Sequence, residues 1–453
     1  MKTRVAALLL MLSACWEGAT AAESSDKLLI QGGYVMTMDP LVGDLERSDV
    51  LVEGGRIVAV GRDLPPGNAR IVDARGQIVL PGFVDAHSHL YVTTMRGQFR
   101  NQDGQFFPVS SRLAAQMTPA DTYTAMYLGA VELLTGGVTT TGDFFDNVLS
   151  PAHGEEGLRA LNDAGIRATL YYGGPDKTTR NLIDLDHLQT LVKQQGTEHR
   201  VRMGLAWRLP RNRDDVKNWA MRQQEYDTAR RLQIPIQVHV SGEAHPMFDA
   251  LIKRNFLYPG LTVVHATDAQ PEQLRALDKS GGSLVLTPLS EQRVGYGLTR
   301  LDHFDGVSRL GLGIDGNALA GSADMFANMR LAALTWSGGS RDEKGPAPRS
   351  LLRLATLGGA EALGLADEVG SIRKGKRADL QIIARDAINL AGFGGGDPSA
   401  LLVYSARPDN VRTVIVDGRV LKRDGQLQRV DLPDLLHRAE ASATQLRHRA
   451  NNP

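Results

Sequence analysis

Between Gly82 and Gly316 the chain alternates short apolar runs with stretches long enough for a helix, and this alternation restricts the fold more than any other feature. The runs are GFVDAHSHL, GGVTTTGDFFD, IRATLYYGG, RVRMGLAWRL, IPIQVHVSG, LTVVHA, GGSLVLTPLS and RLGLGIDG; stretches such as TPADTYTAMYLGAVELLTG and VKNWAMRQQEYDTARRLQ lie between them. Repeated strand–helix units build a parallel sheet, and eight of them close it into a (β/α)8 TIM barrel, an α/β fold, here expected over residues 81–365. Active sites of such barrels lie at the C-terminal ends of the strands, so polar residues there carry the functional reading.

On either side the texture changes to β-rich runs broken by Gly-Gly and Gly-Arg turns. KLLIQGGYVMTMD, SDVLVEGGRIVAVG and ARIVDARGQIVL precede the barrel, and RADLQIIAR and VRTVIVDGRVLKRDG follow it. These two segments, 27–80 and 366–430, are expected to complete one small β-sandwich. The tail, 431–453, reads as a polar surface helix without chemistry.

The amino terminus, MKTRVAALLLMLSACWEGATAAESS, places Lys2 and Arg4 before an apolar run too short to span a bilayer. Residues 1–22 therefore read as an export signal, with a periplasmic address. Small residues at Ala19–Ala22 suit ordinary cleavage, while LSAC ending at Cys15 resembles a lipobox and leaves a lipid anchor open. Cys15 is the only cysteine, so no disulfide forms within the chain. Lys+Arg and Asp+Glu number 51 each, and no basic stripe points to nucleic acid; the expected partner is a small molecule.

His87 and His89, two apart on a strand, present both imidazoles to one face, as delivery to a single ion requires. Alone the pair says little, because 11 histidines placed at random in 453 residues yield such a spacing about 0.3 times per chain. Three further strand ends supply His239 in IQVHVSG, His265 in TVVHAT and Asp315 in GLGIDGN. For any one of them a satisfied polar residue is the better reading; four places in barrel order favour a site. Imidazoles with a carboxylate suit zinc, or ferrous iron, with a position left for water whose pKa falls to about 7 on binding.

PGFVDAHSHL, ELLTGGVTTTGDF, VHVSG, VVHAT, LGIDG, ATLGGAEALGLADEVGSIRKGKRADL and VIVDGRV together resemble the amidohydrolase superfamily, in its cytosine deaminase and triazine hydrolase branch, from about Lys27 to Gly425. The resemblance implies that His87, His89, His239 and Asp315 hold one divalent metal, and that His265 bonds the attacking water or the substrate. Binuclear relatives carry a lysine at the end of the fourth strand. This chain has Trp207 and Arg208 there, which implies a mononuclear site. The implied reaction is hydrolysis of a carbon–nitrogen bond, foremost deamination of a nitrogen heterocycle.

One departure concerns the proton donor. The branch usually carries Glu three residues after the fifth-strand histidine; here that position is Gly242, with Glu243 one residue later. Glu291, in LTPLSEQR where many relatives have Asn, is the other candidate acid, expected at the barrel mouth. The absent acid keeps a rival open, hydrolysis of an amide, lactam or other C–X bond at the same centre. A non-catalytic periplasmic binding barrel is the third reading. Trp207, Arg208 and Arg293 are candidate substrate contacts, suited to a flat heterocycle or aromatic amide. The run GSADMFANMRLAALTW reads as a core-facing helix and leaves a homo-oligomer face open.

Overall fold

A computed structural model describes residues 27–452, save 101, 176–180, 196–198, 211, 213, 242 and 243. The export-signal reading, Cys15 included, and Glu243 lie outside the described residues. Among those described, no helix is long and apolar enough to cross a membrane.

The chain opens with β1 (Lys27–Met36), β2 (Asp44–Glu53), β3 (Arg56–Gly61), β4 (Arg70–Asp73) and β5 (Ile78–Pro81). Eight strands follow: β6 (Phe83–Ser88), β7 (Val138–Phe145), β8 (Arg167–Tyr172), β9 (Val201–Trp207), β10 (Ile236–Val240), β11 (Leu261–His265), β12 (Ser283–Leu286) and β13 (Leu310–Leu312). Each of the eight apolar runs forms one of these strands. They lie in sequence order and every neighbouring pair is parallel.

The sheet closes where its ends meet. Ser88 and Asp315 form a parallel bridge, the Asp315 amide donates to the His87 carbonyl at 2.8 Å, and the His89 amide donates to the Asp315 carbonyl at 3.3 Å. Inside the barrel, Val84, Ala86, Phe144, Tyr171, Ala206 and Val285 pack into an apolar plug beneath the strand ends. The outer faces of the strands pack against α1 (Phe106–Ala114), α2 (Pro119–Thr135), α3 (Pro151–Ala164), α4 (Leu185–Gln195), α5 (Val216–Leu232), α6 (Ala244–Lys253), α7 (Pro271–Ser280) and α8 (Pro288–Arg293), together with later helices. Each such layer hides the apolar strand faces that a parallel sheet exposes on both sides.

The second sheet is built from both ends of the chain. β14 (Leu380–Ile383) pairs antiparallel with β5, Leu380 opposite Pro81 and Ile383 opposite Ile78, and β15 (Val411–Val416), β16 (Arg419–Arg423) and β17 (Gln426–Leu427) extend it. Its core, including Leu28, Ile30, Val50, Ile372 and Ile382, is separate from that of the barrel. The fold is thus a TIM barrel with a small sandwich domain contributed by both termini.

The last helix, Leu432–Asn451, corrects the reading of the tail as a plain surface helix. Leu435, Ala439, Leu446 and Ala450 are buried, and the Ser442 hydroxyl donates to Asp121 at 2.6 Å. In the helix Met325–Ser340, Met325 and Met329 do face the core, whereas Leu334 is exposed.

Candidate metal centre and active site

Strand periodicity places the ligands. His87 and His89, two apart at the end of β6 and just past it, share a face. Phe83, at the start of the strand, packs onto Phe326, and β6 shifts register against β7 between Phe83 and Val84 and again between Asp85 and Ser88. His239 sits near the end of β10 and His265 ends β11. His265 and Asp315 have φ values of 72° and 66°, a left-handed conformation that residues with a Cβ adopt at a cost and that is concentrated at functional sites.

Four side-chain atoms converge at the mouth. His239 Nε2 lies 3.2 Å from His87 Nε2 and 3.3 Å from His89 Nε2, and Asp315 Oδ1 lies 3.7 Å and 3.5 Å from the same two atoms. The hydrogen bonds behind the rings fix two tautomers. His87 Nδ1 donates to Gln237 Oε1 at 2.9 Å, whose amide in turn donates to the Ala86 carbonyl, and His89 Nδ1 donates to Asp146 Oδ1 at 3.1 Å. An amide oxygen and a carboxylate only accept, so Nδ1 of His87 and of His89 carries a hydrogen and Nε2 is the nitrogen each ring presents to the other imidazoles and to the Asp315 carboxylate.

A divalent cation at their centre fits that arrangement. The edges of a tetrahedron of nitrogen and oxygen ligands around zinc, with bonds of about 2.1 Å, are about 3.4 Å long, and the four separations bracket that value. His87, His89 and His239 form the metal-capable group, with Asp315 completing the set.

Charge in the site is tuned by burial and by neighbours. Burial, then the neighbouring His89, pushes His87 down to about 3, and burial, then His87 and His89, holds His239 well below its ordinary value; both imidazoles are neutral ligands. Burial alone would raise the Asp315 carboxyl, but His89, His87 and His265 outweigh it and hold it below the ordinary range. Asp146 behaves alike: Arg208 and His89 more than offset burial and keep it a carboxylate.

The centre opens into a cavity of about 440 Å³. His89, His239, His265, Asp315, Asp146 and Arg208 form its polar end; Phe107, Leu209, Trp219, Met247, Val294 and Tyr296 line the rest. An apolar pocket with a few convergent polar groups suits a flat, partly polar small molecule.

Of the expected substrate contacts, Arg208 alone lines this cavity. Trp207 is a correction: it is fully buried on the outer face of β9, packs on Phe256 and Tyr226, and donates its indole N–H to the Arg222 carbonyl at 3.2 Å. Gly204 and Ala206 face the interior while Met203, Leu205 and Trp207 face the helices, so strand parity sends Arg208 inward and Trp207 outward. Arg293 is corrected too, because its guanidinium donates to the carbonyls of Phe99, Ala318 and Leu319 and ties loops together. Glu291 does not stand at the mouth: it is fully buried on α8 behind His265, with His265 Nδ1 at 3.2 Å from its Oε1.

Asp146 and Gln237 are functional residues that reading the sequence missed. Gln237 precedes His239 by two, and a polar residue at an inward strand position was its available signal. Asp146 ends the GDFFD run, where the paired phenylalanines drew attention instead.

A (β/α)8 barrel with three histidines and an aspartate converging at its C-terminal mouth defines a metal-dependent hydrolase. A family model described as the amidohydrolase family matches residues 78–421, and the chain belongs to that family, whose members hydrolyse carbon–nitrogen bonds. It is 26% identical to a 5′-deoxyadenosine deaminase of Methanobrevibacter smithii, over 94% of this chain and 99% of the relative. It is 30% identical to a 5-methylthioadenosine/S-adenosylhomocysteine deaminase of Natronomonas pharaonis, covering 93% and 99%. Among solved structures it superposes on an adenosine deaminase from Xanthomonas campestris with bound zinc, at a TM-score of 0.79, 24% identity and 94% and 99% coverage. A zinc complex of atrazine chlorohydrolase from Arthrobacter aurescens gives 0.80, 24%, and 92% and 100%.

Proposed function

We propose that the protein is a zinc-dependent deaminase that replaces an exocyclic amine on a nitrogen heterocycle by oxygen, with an adenosine-type amine as the substrate class. The carrying observation is the convergence of three imidazole Nε2 atoms and Asp315 Oδ1 at the polar end of a cavity whose other walls are aromatic and aliphatic. The names of the adenosine-type relatives support the choice of substrate.

An ion held by His87, His89, His239 and Asp315 would supply hydroxide at neutral pH by acidifying water. The Asp315 carboxylate accepts the proton that the attacking water gives up, and its depressed pKa keeps it ionised for that role. His265, on the cavity wall, bonds the nucleophile or the ring and fixes the direction of attack. The balanced change is amine plus water to a carbonyl-form heterocycle plus ammonia: a C–O bond forms, the C–N bond breaks, one of the water's protons leaves with the nitrogen as ammonia, and the other ends on the ring nitrogen.

A second reading, cleavage of an amide or other C–X bond, is favoured by Gly242, which offers no side chain to protonate a leaving amine. The two separate in one assay. Ammonia release is scored from 5′-deoxyadenosine, 5-methylthioadenosine, an aminotriazine and an aromatic amide, with Asp315→Asn as control. Ammonia from an adenosine-type amine, lost in the control, is expected; carboxylate product from the amide selects the second reading, and silence on every compound overturns the hydrolase assignment. Residues 1–22 support export, which mass spectrometry of the mature amino terminus tests: a start near Ala22 or a lipidated Cys15 upholds it, and an intact Met1 overturns it.

A further inference from the structure

We infer that Glu291 is a positioning residue that holds His265 in its Nδ1–H tautomer and thereby aims Nε2 at the reacting groups. The inference rests on the hydrolytic reading of the cavity above and assigns Glu291 a role other than proton donor.

The geometry around the carboxylate is complete on the side away from the cavity. Oε1 accepts from the Thr287 amide at 2.8 Å and from His265 Nδ1 at 3.2 Å, and Oε2 accepts from the Thr299 hydroxyl. The Thr287 hydroxyl also lies 3.1 Å from His265 Nδ1 and accepts from Ser290 at 2.7 Å. A carboxylate has no proton to give here, so the nitrogen facing it carries the hydrogen, and in the neutral ring the opposite nitrogen keeps its lone pair.

Packing does not require a charge at this position. A fully buried carboxylate is costly unless its oxygens are bonded, and an aliphatic side chain would fill the same volume. Among the described residues no Arg or Lys pairs with it; its one ion-pair partner is His265. The local backbone converges on the same end: His265 and Ala266 hold left-handed φ values of 72° and 50°, which turn the chain at the end of β11, and Tyr296 meets the imidazole edge-on with centroids 5.4 Å apart. Backbone and ring neighbours direct the imidazole into the cavity, and Glu291 decides which nitrogen arrives with a lone pair.

The first test needs no variant and no substrate. Long-range 15N–1H correlation spectra of zinc-loaded, histidine-labelled protein, assigned by loss of one signal in His265→Asn, are expected to show His265 as the Nδ1–H tautomer; an Nε2–H tautomer overturns the inference. Glu291→Leu is expected to give Nε2–H or a mixture and to lower kcat for ammonia release from 5′-deoxyadenosine by about 10- to 100-fold, with KM changed by less than about threefold. Glu291→Gln keeps an acceptor oxygen and is expected to restore the Nδ1–H signal and at least about a tenth of the wild-type kcat. A changed tautomer with undiminished kcat, or a Leu variant indistinguishable from wild type, overturns the aiming role. Where Glu291→Leu does not fold, the wild-type spectrum and the Gln variant decide. Failure of the deaminase reading looks different: no ammonia from wild type while His265 shows the expected tautomer.

Discussion

Asp146 joins the metal centre to the substrate wall. One oxygen receives His89 Nδ1 at 3.1 Å and the other meets the Arg208 guanidinium, which lines the cavity. A carboxylate behind a ligating imidazole fixes its tautomer and raises its basicity. Asp146→Asn can keep one acceptor for His89 only by turning its amide donors toward Arg208, a donor-to-donor clash. We expect metal affinity to fall by about 10- to 100-fold with the fold retained, measured by competition with a chelating dye; wild-type affinity would refute the role. At this scale the sequence announced residues at strand ends and stayed silent on residues behind them. His87, His239 and Asp315 stood out because a polar residue interrupts an apolar run. Trp207 stood out by size, although counting by twos along β9 already assigned Arg208, and not Trp207, to the interior.

Among the elements, α2 shows how one residue ties a helix to a distant part of the chain. Thr118 caps it and Asp121 completes the capping box, with the Thr118 amide at 2.9 Å from the carboxylate. The same carboxylate accepts from Ser442 and pairs with Arg449 on the last helix. Asp121→Ala removes the carboxylate half of the capping box and strands both partners on the last helix, and we expect a loss of about 2–3 kcal/mol, read as a lower urea midpoint with unchanged metal content. An unshifted midpoint would mean that the carboxylate contributes no net stability. All eight barrel strands were legible because each is a short apolar run bounded by glycine or a cap. The docking of the last helix was not, since its buried positions are widely spaced among charged ones and its partner lies more than 300 residues away.

For the molecule as a whole, the two domains are joined by charged groups buried at their junction. Arg167, at the start of β8, meets Asp379 at 2.7 Å and Asp417 at 3.3 Å, across the boundary between barrel and sandwich. Lys422 on β16 donates to the Thr135 carbonyl at the end of α2 at 2.8 Å, and burial brings its pKa down to about 8 from 10.5. Between those values the folded state binds fewer protons than the unfolded one, so this group adds stability as pH rises from about 8 to 10.5. Chemical denaturation of wild type and Lys422→Met at pH 7.5 and pH 10 should therefore show wild type gaining on the variant at the higher pH; a constant difference would exclude a depressed lysine. Composition and motifs foretold two domains, but not this junction, because none of its charges departs from an ordinary surface pattern in the sequence.

The seam at which β6 meets Asp315 gives metal capture an order in time. Two ligands come from the first barrel strand and one from the turn after the last, so the four-atom set is complete only once some 230 intervening residues have been made and folded between them. A nascent or truncated chain ending before Asp315 offers three histidines and no carboxylate, and the seam that aligns them is absent. An ion held by these four residues would bind the closed barrel in preference to a chain that lacks Asp315, and by mass action would favour closure.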